Sequence, residues 1–467
     1  MSPDPALGWG FTTQQIHAGG GPEPATGAVA LPIYQTTAYQ FPSTAAAAGR
    51  YAGTELGYTY ARLNNPTQAA IEQRLTVLEG AAHATLVGSG QAAVAFTLLT
   101  LASAGDHIVA SPALYGGTMA LLRTNLARRG VEVTVVDRLN DASAWLAAVR
   151  PGTKAFFTES VANPGGDVAD LEALAGAAHQ AGVPLVVDNT VATPYVLRPL
   201  DWGADIVVYS ASKYLSGHGT VIAGAVLDGG RFDFSVEPAR WPDFNSEVPG
   251  YPGMVLTRDF GADGRLNRGG PNMVFGVKLR LEQLHDLGAS ISPFNAFLLG
   301  QGLETLSLRM DRHLANARRV AEYLAARPDV ASVTYAGLPS SPYHALARKY
   351  VPRGPGGIVG FDLPGGAPAA QLFVESLVLF RHVANIGDVR SLVIHPASTT
   401  HAVMTPEEQL AAGVRPGFVR LSVGIEDGVD LLNDLDQAFR AVQAAGLGEP
   451  ARVAAAVGAA APVGAAA

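Results

Sequence analysis

From residue 84 to residue 227 short apolar runs alternate with helical repeats, and no other feature of the chain limits its fold as strongly. ATLVG (84–88), HIVAS (107–111), VEVTVV (131–136), KAFFTES (154–160) and VPLVVD (183–188) read as buried strands, with DIVVYS (205–210) and TVIAGAVL (220–227) as further apolar runs. Between them QAAVAFTLLTLA (91–102), TMALLRTNLARRG (118–130) and DLEALAGAAHQAG (170–182) read as helices. A strand that is apolar on both faces must be covered on both, and a helix between two strands returns the chain so that they run parallel. The expected fold class is α/β: a mostly parallel sheet with helices on both faces.

The flanking segments set the expected organisation. Residues 1–66, rich in Gly, Pro, Thr and Tyr with little periodicity, read as an extended arm. A helix starts near 67, with Ile71, Leu75 and Leu78 on one face and Gly80 as its stop. It opens a unit over 67–300, which residues 228–272 interrupt as a long ordered insertion or loop. A long helical pattern at 301–327 opens a smaller C-terminal α+β unit over 301–447, with strand signals ASVTYAG, GGIVGFDL and VRLSVG. Residues 448–467 are Ala-rich and read as a low-complexity, disordered tail.

Composition removes several function classes. The 467 residues are 48% hydrophobic, enough for a large core, and carry a net charge of −8 without a basic stretch, so nucleic acid is not the expected partner. Cysteine is absent, which excludes disulfides and thiolate chemistry. The start lacks the basic and apolar regions of a secretory signal and no apolar run reaches membrane-spanning length, so a cytoplasmic protein is expected. The 11 histidines show no metal-ligand spacing. His218 and His395 are bases only by residue type.

The chemistry is sought beyond the carboxyl ends of the strands, where open α/β sheets bind their ligands. After ATLV, Gly88-Ser89-Gly90-Gln91 opens a helix, which suits a phosphate; taken alone, the loop is equally an ordinary turn. It also fits the fingerprint Gly88-x-Gly90-x-x-Ala93 of a dinucleotide site, but the next strand has no acid at its carboxyl end to hold the ribose. Asp188 ends VPLVVD, where a carboxylate calls for a cationic partner or a turn to cap. Lys213 follows DIVVYS, in a chain with four lysines among 32 basic residues. Phosphate cradle, carboxylate and lysine together suit pyridoxal phosphate, because an amine can lose its proton to form a Schiff base and a guanidinium cannot. Ser210 and Ser212 are then hydroxyl donors for the phosphate. Tyr115 could stack on the ring. Asn163 could reach the ring hydroxyl, or form a simple Asn-Pro turn.

At this point the motifs YTYARLNNPT (58–67), GSGQAA (88–93), ALYGGT (113–118), ESVANPGG (159–166), VVDNT (186–190), YSASKYLSGHGT (209–220) and VRLSVGIED (419–427) are recognisable. The chain resembles the pyridoxal-phosphate enzymes of cysteine and methionine metabolism, the cystathionine γ-synthase-like group of fold type I, over about 11–445. The resemblance implies that Lys213 carries the cofactor and shuttles protons, and that Asp188 pairs with the ring nitrogen. It implies that Tyr115 stacks on the ring and assists acid–base steps, with Asn163 nearby. Gly90, Gln91, Ser210 and Ser212 would hold the phosphate, joined by Tyr60 and Arg62 from a neighbouring subunit of a homodimer or homotetramer. Arg420 would clamp the substrate carboxylate, with Asn385 beside it.

Within the group, the insertion and the stretches 292–313 and 385–401 match members that exchange the ester of O-acetylhomoserine for sulfide. Gly117 stands where methionine γ-lyases typically carry cysteine. Cystathionine γ-synthase, O-succinylhomoserine sulfhydrylase and γ-lyase activities are the alternatives within the group.

Overall fold

A computed structural model describes residues 8–447 apart from 56, 268–269, 403–404 and 412. The tail at 448–467 lies outside the described residues, as do the first seven residues of the arm. The first sheet has seven strands: β1 His83–Val87, β2 His107–Ala110, β3 Glu132–Val135, β4 Thr153–Glu159, β5 Leu185–Asp188, β6 Ile206–Tyr209 and β7 Gly224–Asp228. Their order is β1-β7-β6-β5-β4-β2-β3. β7 alone is antiparallel to its neighbours, β1 and β6. The fold is therefore the mostly parallel sheet expected, with one reversed strand that brings β1 back into the direction of β6.

Period-two alternation explains the double covering. Leu185 and Val187 of β5 enter one apolar cluster, whereas Val186 enters the cluster on the other face. Val207 and Ile206 of β6 divide in the same way. The helix Pro66–Glu79 begins under an Asn65 cap, whose side chain accepts the Thr67 N–H at 2.9 Å, and ends at Gly80 in the left-handed region.

The second sheet contains β8 Ser332–Thr334, β9 Ile358–Asp362, β10 Arg381–His382, β11 Leu392–Ile394 and β12 Phe418–Ser422, in the order β10-β11-β12-β9-β8. A third apolar cluster packs this sheet against the helices Leu306–Ala325, Gly366–Ser376 and Gly428–Ala444. The helical pattern expected over 301–327 is two helices, Pro293–Glu304 and Leu306–Ala325, broken at Thr305. The insertion carries short helices at Pro242–Asn245 and Leu256–Phe260, and a small aromatic core in which Phe234 and Phe244 stack at 4.0 Å.

Candidate active site

The carboxyl ends of β1, β2, β4, β5 and β6 lie along one edge of the large sheet, because these strands share one direction. In the β4–β5 ladder Glu159 stands opposite Asp188, and on its other side Asp188 stands opposite Val208. Above this edge is a cleft of about 330 Å³, completed by residues 384–386 and by Arg420 of β12. Lys213, Asp188, Tyr115, Asn163, Gly90, Gln91, Ser210, Ser212, Asn385 and Arg420 all line it.

One end of the cleft has the chemistry that suits an anion. Ser89 caps the helix Gly90–Leu101, its hydroxyl accepting the Ala92 N–H at 3.1 Å. The first helical N–H groups then face a space that a larger residue would close: a Cβ on Gly90 would stand 2.5 Å from the Cβ of Ser210. The Ser212 hydroxyl is engaged by backbone, donating to the Ala223 carbonyl at 3.1 Å and accepting the Ala223 N–H at 2.8 Å. It is therefore a less free donor than sequence suggested.

Along the floor, Asp188 accepts the Thr190 N–H at 3.0 Å and the Thr190 hydroxyl at 2.6 Å. Burial raises its carboxyl above the usual range despite those two bonds. Glu159, 6% exposed, accepts N–H groups from Tyr115 at 2.5 Å and Asn163 at 3.2 Å. Burial first, and the Asp188 charge second, push it well above the usual carboxylate range. The Tyr115 ring lies over Gly117, where a Cβ would meet Tyr115 Cε1 at 2.5 Å; the ring as placed excludes any side chain there.

At the other end, Lys213 Nζ donates to Asn385 Oδ1 at 2.5 Å. Burial, and then the neighbouring Arg420 charge, lower the affinity of its amine for a proton. Arg420 donates to Asn163 Oδ1 at 3.0 Å and to the Asn385 carbonyl at 3.1 Å, and its Nε is buried without a partner. Burial lowers this guanidinium to about 10.

Two carboxyl groups and two basic groups thus share one cleft, yet among the described residues no ion pair joins any of them to an opposite charge. A buried charge left in that condition is costly, so the site is complementary to a ligand that supplies the missing charges. Pyridoxal phosphate fits: an anion for the helix N-terminus, a ring nitrogen for Asp188 and an aldehyde for Lys213.

Comparison with known proteins agrees. The model of the Cys/Met metabolism PLP-dependent enzyme family matches residues 12–440. The chain belongs to this family. It is 45% identical over 437 residues to the O-acetyl-L-homoserine sulfhydrylase of Corynebacterium glutamicum, covering 93% of this chain and 98% of that one. It is 46% identical over 430 residues to O-acetyl-L-homoserine sulfhydrylase 1 of Thermus thermophilus, covering 92% and 99%. A crystal structure from Campylobacter jejuni, assigned as an O-acetylhomoserine (thiol)-lyase and bearing N'-pyridoxyl-lysine-5'-monophosphate, matches with a TM-score of 0.86 and 38% identity over 92% of this chain and 99% of that one. The family's cofactor, pyridoxal 5'-phosphate, is therefore the cofactor of this enzyme.

Four other residues named from sequence lie outside the cleft. Tyr60 and Arg62 do not line the cleft of their own chain; Arg62 lies 5.1 Å from the Tyr60 ring centre, and Tyr60 is 43% exposed. His395 is occupied on both nitrogens, by Ser398 Oγ and the Pro416 carbonyl, each at 2.8 Å, and His218 bonds the Ser216 carbonyl at 2.6 Å; neither lines the cleft. Sequence reading also missed Glu159 and Thr190. Glu159 carries the same signal that exposed Asp188, a carboxylate at the end of an apolar strand. Thr190 carries none, since its role depends on the turn after β5.

Proposed function

We propose that the enzyme is an O-acetyl-L-homoserine sulfhydrylase (O-acetylhomoserine aminocarboxypropyltransferase) acting in methionine biosynthesis. It exchanges the ester of O-acetyl-L-homoserine for sulfide, releasing L-homocysteine and acetate; with methanethiol it releases methionine. The observation that carries this reading is the near-complete match, at 45% identity, to a sulfhydrylase of that name.

Pyridoxal 5'-phosphate, when bound, supplies an aldehyde for the substrate amine and a ring that takes up electrons from the α carbon. The chain's residues do the rest. Gly90 and Gln91 offer backbone N–H groups to the phosphate, with Ser210 and Ser212 beside them. Asp188 gives its charge to the ring nitrogen, and Tyr115 and Asn163 fix the ring plane. Lys213, whose amine holds its proton weakly, removes the α proton and returns one later. Arg420 receives the substrate carboxylate through its fork of donors, exchanging bonds it now makes to Asn163 and Asn385. At Cγ the C–O bond breaks with its electron pair on acetate, and hydrosulfide forms the new C–S bond.

The cleft also favours a small sulfur donor. Among its described lining residues Lys213 and Arg420 are the only cations. A second carboxylate, on a succinyl ester or on cysteine, has no further cation to meet among those described lining residues. The exposed Tyr60 and the partly buried Arg62 beside it fit a role in a neighbour's phosphate site, within a homodimer or homotetramer. The division into an arm at 1–66, a cofactor-binding unit at 67–300, a C-terminal unit at 301–447 and a tail, and a cytoplasmic location, belong to the same reading. The test measures product with O-acetyl- and O-succinylhomoserine, each paired with sulfide and with cysteine. Homocysteine from the acetyl ester and sulfide should form fastest. Faster cystathionine formation would reassign the enzyme as a γ-synthase, and release of a 2-oxo acid and ammonia without any added thiol as a γ-lyase.

A further inference from the structure

Beneath the cleft a chain of buried polar side chains crosses three strands. Each strand end that serves the cleft has a neighbour pointing to the opposite face, as the two-residue period of a strand requires: Ser160 after Glu159, Asn189 after Asp188, and Tyr209 before Ser210. The Ser160 hydroxyl donates to Asn189 Oδ1 at 2.7 Å. Asn189 Nδ2 donates to the Tyr209 hydroxyl at 2.8 Å and to the Leu197 carbonyl at 2.7 Å. The Tyr209 hydroxyl donates in turn to Glu79 Oε2. Glu79, Asn189 and Tyr209 are each 0% exposed, and Ser160 is 1% exposed.

Glu79 is the far anchor. It is the last residue of the helix Pro66–Glu79, so the left-handed turn at Gly80 fixes where its side chain begins. It forms no ion pair among the described residues, and its Oε1 is buried without a partner. Nothing in the reaction uses a carboxyl group there. Burying one is costly unless it holds something in place.

We propose that Glu79 is a positioning residue: through Tyr209 and Asn189 it fixes the relative heights of the strand ends that present Glu159, Asp188 and Ser210 to the cleft. This rests on the cofactor and reaction assigned above, but it concerns the scaffold and not the substrate. The chain of bonds locks β4, β5 and β6 against sliding at the row where Asp188 and Ser210 must meet one cofactor at two points. The side-chain bonds add a second set of links to the backbone ladder that pairs these strands, at its carboxyl end. Burial pushes the Glu79 carboxyl up to about 8, against the pull of the Tyr209 bond and of Arg198.

The test uses holoenzyme of three variants, all checked by thermal melting and measured well below their transitions. Tyr209→Phe removes the link and keeps the ring. Glu79→Leu keeps much of the bulk and removes the acceptor. Glu79→Gln keeps a neutral acceptor oxygen. For the first two we expect cofactor affinity and kcat to fall by about 10- to 100-fold, with KM for the amino-acid substrate changed less, and a shifted cofactor absorbance band before any substrate is added. Glu79→Gln should restore affinity, kcat and spectrum to near wild type. Folded Tyr209→Phe with wild-type spectrum, cofactor affinity and kcat overturns the proposal, as does Glu79→Gln as impaired as Glu79→Leu. If Glu79→Leu does not fold, the other two variants still decide. The spectrum is read without substrate, so a wrong substrate assignment leaves it untouched.

Discussion

The insertion and the cleft treat buried charge in opposite ways. In the insertion Asp259, 0% exposed, meets Arg258 and Arg265 at 2.9 Å each and accepts the Val255 N–H. Burial alone would raise its carboxyl, yet these partners outweigh it and carry it down to about 2. Two of the four lysines hold the same region. Lys154 lies 5.0 Å from the Trp241 ring centre and 3.6 Å from Asp106, and Lys278 lies 5.3 Å from the Phe244 ring centre and pairs with Glu282. In the cleft, Asp188 has no cation and is raised, and Lys213 has an amide for a partner and holds its proton less firmly. Charges that build structure are satisfied within the chain. Charges reserved for a ligand are left unmet, and the fold bears that cost.

The largest break in this contrast comes from Lys213→Arg. It keeps a cation in the cleft but removes the amine, so the yellow band of bound cofactor and turnover should both vanish while the fold survives. Undiminished turnover would remove the cofactor role of Lys213. The same exchange at the satisfied sites should have the smallest effect.

Asp188→Asn comes next. The amide cannot balance a ring cation, so turnover should fall by roughly 100-fold or more while absorbance shows the cofactor still bound. Near-normal turnover would leave Asp188 as no more than a cap for Thr190.

Glu79 sharpens the contrast from a third side, as a buried acid that structure keeps neutral. Unfolded, it loses its proton above its ordinary 4.5; folded, it keeps the proton to about 8. Folding therefore takes up a proton between those values, and this contribution to wild-type stability is lost as pH rises through that window. Glu79→Gln has no such proton. Its unfolding free energy, from chemical denaturation, should gain on wild type as pH rises from about 5 to about 8, with a slope of up to about 1.4 kcal/mol per pH unit, then level off. A constant difference across that range would mean that Glu79 is already ionised in the folded protein.

Lys154→Arg and Lys278→Arg should leave turnover within about two-fold. Arginine keeps the charge over each ring, and added bulk should cost about 1–3 kcal/mol in chemical unfolding. Loss of cofactor in either variant would blur the line between the two regions.

Lysine scarcity by itself does not mark a functional site in this chain. Lys213 stands out by its glycine-rich, hydroxyl-rich flanks after an apolar strand. Scarcity alone does not single it out, since Lys154 and Lys278 are equally rare and serve packing. The cleft residues legible in sequence were those at strand ends, Asp188, Ser210 and Lys213, because chain direction places every such end on one edge. Glu159 was legible by the same rule and was passed over. Thr190, and the bond from Lys213 to Asn385, were not legible: one depends on a turn, and the other joins residues 172 positions apart.

What the sequence by itself determined is local and periodic. Apolar runs alternating with helical repeats specify a mostly parallel sheet covered on both faces, and the motifs at its strand ends specify pyridoxal phosphate. Only the tertiary structure decided the rest. It turned β7 against its neighbours, so that the Gly90 cradle faces the Ser210 end of β6. It swung Arg420, on a different sheet, over the cleft to within 3.0 Å of Asn163. It joined Glu79 to Ser160 beneath the rim through Tyr209 and Asn189. These contacts link residues far apart along the chain, and nothing in a residue's neighbours records them. Packing sets them, by bringing separate apolar faces together and leaving each polar group to find the partner within reach.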